Sequence, residues 1–143
     1  MKKKLLLMLT LCLLAQWSVA QAPKWVDKAK RAVFSVVTYD QDDKILNTGN
    51  GFFVTEDGVA LSDYTLFKGA RRAVVMSSDG AQMPVEAIMG ADDMYDVVKF
   101  RVGIPGKKVT ALTLAAVAPA VGADVYLLPY SPETFFTAGS KGS

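Results

Sequence analysis

The side chains in this chain that could take part in proton transfer are hydroxyls, carboxylates and lysines, and the hydroxyl of Thr65 and the carboxylate of Asp96 are among them. Thr65 sits where an apolar strand, Val59-Ala60-Leu61, runs through Ser62-Asp63 into Tyr64-Thr65-Leu66-Phe67, a stretch that reads as a tight helical turn. Asp96 stands immediately before the alternating run Val97-Val98-Lys99-Phe100-Arg101-Val102. A hydroxyl becomes a nucleophile near neutral pH only when a neighbouring base takes its proton, and histidine does this because its pKa lies near 6.5. The sequence contains no histidine. A serine–lysine pairing is an alternative, but the lysines here fall on turns and exposed strand faces. Without such a base, Asp96 reads as a turn or strand cap, and Thr65 as a residue that opens a helical turn and caps the amides after it. Tyr64 beside it could line a ligand groove, although nothing else in the sequence points to one.

Metal chemistry is poorly provided for. Asp92, Asp93 and Asp96 offer oxygen ligands, but their spacing lacks the alternating ligands and the glycine of a calcium loop. With no histidine and only Cys12, zinc and copper sites are not expected either. No cofactor and no metal are therefore expected.

The ends bound what must fold. Lys2-Lys3-Lys4, the apolar run Leu5 to Ala15, and Ser18-Val19-Ala20 have the order of a secretory signal peptide with cleavage after Ala20. The run is shorter than the roughly 20 residues a membrane span needs. Residues 1–20 are thus expected to be removed, which predicts an exported protein, periplasmic or secreted, with no membrane attachment. The whole chain of 143 residues has 16 basic and 14 acidic groups, net +2. Losing three lysines leaves 13 against 14, near −1, and Cys12 leaves as well. A near-neutral chain without a basic block excludes nucleic acid as a partner class, and the remaining length suits one domain.

The positioning elements are mostly strands. Residues 21–31 form a short helical lead-in, with Trp25, Val26, Ala29 and Ala32 on its apolar side and Lys24, Lys28, Lys30 and Arg31 outward. Strands are expected over 33–39, from Ile45 through Phe52-Phe53-Val54, over 59–61, 73–76, 83–89 and 96–102. Further segments at 109–114 and 124–128 read as a short strand and a last apolar strand. Gly49-Asn50-Gly51 marks a bulge or a close backbone approach. Thr55-Glu56-Asp57-Gly58 and Ser77-Ser78-Asp79-Gly80 are hairpin turns, and Met76, Met83, Met89 and Met94 are expected to fill core. Short strands recurring with turn chemistry between them point to an all-β barrel or sandwich.

In order, Ser35-Val36-Val37, Gly49-Asn50-Gly51-Phe52-Phe53-Val54, Asp57-Gly58, Leu61 through Ala70, Asp79-Gly80, Gly90-Ala91-Asp92, Asp96 through Val102 and Val121-Gly122-Ala123-Asp124-Val125-Tyr126 resemble the N-terminal barrel of trypsin-like serine endopeptidases, particularly the bacterial HtrA/Deg-type branch. The resemblance spans residues 32–131. It implies an all-β fold: a six-stranded antiparallel Greek-key barrel with a short N-terminal helix. It also implies that Asp96 stands at the family's triad aspartate and Thr65 at its histidine. The nucleophilic serine has no counterpart, and residues 132–143 look like a flexible tail or the opening of a second barrel. The expected function is a catalytically inactive, exported protease-fold module that binds or scaffolds a protein or peptide partner, as part of a longer protein. The alternative is the N-terminal part of a serine endopeptidase completed beyond residue 143.

Overall fold

In the computed structural model, which describes residues 23–106, 108–128 and 141–142, the alternating segments close into a barrel. The proposed signal peptide and most of the expected tail lie outside the described residues. A short helix α1 (Lys24–Lys30) leads into β1 (Val33–Tyr39), β2 (Ile45–Phe53), β3 (Val59–Asp63), a 3₁₀ turn (Tyr64–Leu66), β4 (Arg72–Met76), β5 (Gln82–Asp92) and β6 (Val97–Val102). Every pairing is antiparallel, and the order round the barrel is β1-β2-β3-β6-β5-β4. Three hairpin-connected strands, β1 to β3, have β4 returning beside β1, which is the Greek-key arrangement. The strand and turn signals predict a barrel or a sandwich, and the six-stranded Greek-key barrel that the resemblance implies is the fold observed.

One side chain in two turns inward. Val98, Phe100 and Val102 are buried on β6 while Lys99 is exposed, and Phe34 and Val36 do the same on β1. The core is centred on Phe34, whose ring meets Phe53 and Phe100 edge-on at centroid distances of 4.8 and 6.2 Å. Such contacts add about 0.5–1.5 kcal/mol each to what burial alone provides. Helix α1 seals one end with Val26 and Ala29, and the Ala32 carbonyl accepts from the Phe53 N–H at 3.0 Å.

Several expectations are settled or corrected. Of the bulge and the close approach that Gly49-Asn50-Gly51 leaves open, close approach is the one that holds. A methyl on Gly51 would lie 2.7 Å from the Leu61 carbonyl oxygen, and one on Gly49 would collide with the Leu66 side chain. The register of β1 on β2 slips instead between Thr38 and Tyr39, beside Leu46. Trp25 is exposed rather than on the buried side of α1, with its ring edge-on to Tyr126. Of the four methionines only Met83 is buried; Met89 and Met94 are on the surface, because β5 bulges and the loop after it turns outward. Residues 109–114 form no strand. They hold to the barrel through single bonds, Val109 N–H to the Glu56 carbonyl and Leu112 N–H to the Phe53 carbonyl. The last strand is only β7 (Val125–Tyr126), paired with β8 (Lys141–Gly142).

Candidate functional site

The ladder between β3 and β6 ends with Asp63 opposite Val97, so Tyr64 and Asp96 face one another just past its last rung. The chain then tightens into the 3₁₀ turn, closed by the Phe67 N–H on the Tyr64 carbonyl at 2.9 Å. A turn of this kind starts with amides that have no partner inside it. Asp96 supplies the partners. Its carbonyl accepts the Tyr64 N–H at 3.1 Å, and its carboxylate Oδ1 accepts the Thr65 N–H at 2.7 Å. The same Oδ1 accepts the Thr65 hydroxyl, also at 2.7 Å. Asp96 can reach all three because its φ is +54°, in the left-handed region that aspartate tolerates better than most residues.

The two residues singled out from sequence are therefore brought together, but Thr65 does not cap the turn. It lies within the turn, and the cap comes from across the barrel wall. Chemically, Thr65 presents a hydroxyl whose proton is already committed to a carboxylate. A carboxylate is too weak a base to remove a proton from an alcohol at neutral pH.

The neighbouring acids are spent separately. Asp92 accepts the N–H groups of Met94 and Tyr95 at 2.9 and 3.0 Å, which shapes the loop between β5 and β6. Asp93 pairs with Lys68, whose ammonium also lies 5.1 Å from the centre of the Tyr64 ring. The hydrogen bond and charge of Asp93 hold the Lys68 pKa above its ordinary value. Lys68 is thus engaged as a cation by Asp93, the wrong role for a serine–lysine type of base. Among the described residues, no group of three histidine, cysteine or acidic side chains is arranged to hold a metal ion.

Three residues hold the turn from behind, two of which, Thr38 and Asn47, the sequence did not single out. Thr38, fully buried on β1, donates its hydroxyl to the Leu66 carbonyl at 2.8 Å, and Asn47 Nδ2 donates to the same oxygen at 3.3 Å. Gly49 leaves room for the Leu66 side chain. A polar residue at an inward-facing strand position is the one local signal that could have marked Thr38, since a buried hydroxyl needs a partner.

No family model matches this chain, and no curated protein does. What bears on function is consequently the geometry of the site and the barrel around it.

Proposed function

We propose that this chain is an exported barrel of the trypsin-like architecture that no longer hydrolyses peptide bonds and acts as a module binding a protein or peptide partner. The observation that carries the reading is the Thr65–Asp96 pair: a carboxylate and a helical turn meet at the end of β3 and β6, and a threonine hydroxyl fills the space between them. In a triad, the aspartate orients an imidazole that shuttles the proton. Here it orients a hydroxyl that has no accessible basic form, and the sequence holds no histidine to take over. Removing one triad member costs several orders of magnitude in rate. A nucleophile supplied from elsewhere would still meet Thr65 where it needs a base, so the endopeptidase alternative gains nothing from the site.

The support for a binding role is the retained architecture. The turn is held in one arrangement by bonds from Thr38, Asn47 and Asp96, and Tyr64 and Phe67 are fixed with it at the surface of the barrel. The test is direct. Purified chain is incubated with a fluorogenic casein and, separately, with a fluorophosphonate probe. The reading expects buffer-level hydrolysis and no labelling; covalent labelling of the chain, or hydrolysis above buffer, removes it.

A further inference from the structure

The barrel wall parts between β4 and β5. The two strands pair only where Val74–Met76 meets Gln82–Pro84, yet β5 runs on to Asp92 with β6 beside it. Residues 86–92 therefore have a sheet neighbour on one side and none among the described residues on the other. Outside the register slips at Glu86 and Met89, an edge of this kind presents unpaired N–H and C=O groups, and an extended chain is what complements them.

Beside that edge lies a cleft of ≈ 370 Å³, with Tyr64 and Phe67 of the turn on one side and Ile88 and Ala91 of β5 on the other. Phe67 is backed by Phe100, with ring centroids 5.0 Å apart, so this wall is anchored in the core. Ile88 is half exposed although it lines an apolar recess. The β4 rim of the cleft is cationic. Arg72 is engaged, by Asp43 at 2.8 Å and by the Tyr39 ring beneath it. The Arg71 guanidinium donates to the Gln41 carbonyl at 3.4 Å and has no ion-pair partner among the described residues. Glu86 of β5 also lines the cleft, but its carboxylate lies over Gly103, where a methyl would fall 2.5 Å from Oε1, and it forms no ion pair with Arg71. The cleft thus keeps two arginines against one acid, and Arg71 is the cation there without an ion-paired carboxylate among the described residues.

We propose that this cleft takes an extended peptide segment of a partner protein by strand addition to residues 86–92, with an apolar side chain over Tyr64 and Phe67 and a carboxylate against Arg71. The proposal rests on the reading of the chain as a binding module and names its site.

The test uses the whole chain and three acetylated eight-residue peptides. The first alternates valine and threonine with one glutamate, the second carries lysine in place of that glutamate, and the third is the first N-methylated at four consecutive residues. Amide shifts in a ¹H–¹⁵N spectrum locate binding, and fluorescence anisotropy gives its strength. Expected are shifts concentrated at 86–92, binding of the lysine peptide weaker by about tenfold, and no binding of the methylated one. R71E should reverse the order of the glutamate and lysine peptides, and I88K should weaken both. Shifts centred elsewhere on the chain, with the peptide uncleaved, would overturn the cleft while leaving the binding-module reading standing. The same holds if R71E leaves the order unchanged, if none of the three peptides binds, or if residues 86–92 prove to mediate a dimer. Cleavage of a peptide would overturn both.

Discussion

Thr65 and Asp96 are 31 residues apart in sequence and share one carboxylate oxygen, which accepts both the N–H and the hydroxyl of Thr65 at 2.7 Å. The pair does for the 3₁₀ turn what an N-cap does for a helix, except that the acceptor comes from a different strand. A site arranged in this way is structural first. It fixes the end of β3 against the end of β6, and it leaves the threonine hydroxyl no free proton.

Removing parts of the pair should show this in graded steps. Thr65→Val deletes one hydrogen bond and keeps the N–H contact, and should lower stability by about 1 kcal/mol. Asp96→Ala deletes both side-chain bonds and places alanine at φ +54°, so about 2–3 kcal/mol is expected. Asp96→Asn keeps an acceptor oxygen and a residue that tolerates that φ, and should fall between wild type and alanine. Urea midpoints with an unchanged m-value are the readout; an Asp96→Ala protein as stable as wild type would remove the capping role.

Gly51 and Gly90 give a paired test of close approach. Both lie in strands, yet a methyl at Gly51 would meet the Phe34 ring and the Leu61 carbonyl, whereas one at Gly90 would meet nothing within 4 Å. Gly51→Ala should cost about 1–3 kcal/mol through overpacking. Gly90→Ala should change the thermal midpoint little. Equal effects at both positions would contradict the packing described.

The two hairpin turns should contribute a pH-dependent part of stability. The Asp57 carboxyl is held below the usual carboxylate range chiefly by the Thr55 hydroxyl, with Arg101 assisting, and the Asp79 carboxyl by the Ser77 hydroxyl and then the Ala81 N–H. A depressed folded pKa means that the unfolded chain binds protons first as pH falls. The contribution is therefore complete above the unfolded carboxylate value, near 3.9, and is lost as pH drops through the folded values. The stability difference between wild type and the double variant Thr55→Val, Ser77→Ala should be constant above about pH 5 and shrink below about pH 4. A difference that grows on acidification would contradict the sign.

Much of the barrel was legible because strand alternation is a local signal. Residues 34–39 and 97–102 are buried at every second position, although adjacent apolar pairs at Val36-Val37 and Val97-Val98 blur the alternation in the sequence itself. The departures have physical causes that are not local. Met89 reads as core filler, but the slip of register between Ile88 and Gly90 puts it outside the ladder. Trp25 is exposed because the helix turns Val26 and Ala29 inward, and its indole meets the Tyr126 ring instead. The glycines at 49 and 51 were recognisable as special, but only the neighbours across the sheet, Leu66 and Phe34, decide that they serve contact. The Thr65–Asp96 pair was reached through the family resemblance of the flanking strands. No spacing rule links residues 31 apart; the β3–β6 pairing does, and it is a non-local feature of the barrel. Thr38 and Asn47 escaped notice because their partner is a backbone carbonyl in the turn, invisible to side-chain patterns.

The measurement closest to the central claim is peptide-bond hydrolysis by the intact, folded chain at neutral pH, run beside its Asp96→Ala variant with a fluorogenic casein. The account predicts that both proteins give the rate of buffer alone. Turnover by the wild type that Asp96→Ala abolishes would contradict it, because Asp96 would then be serving a proton shuttle that the Thr65 hydroxyl cannot provide.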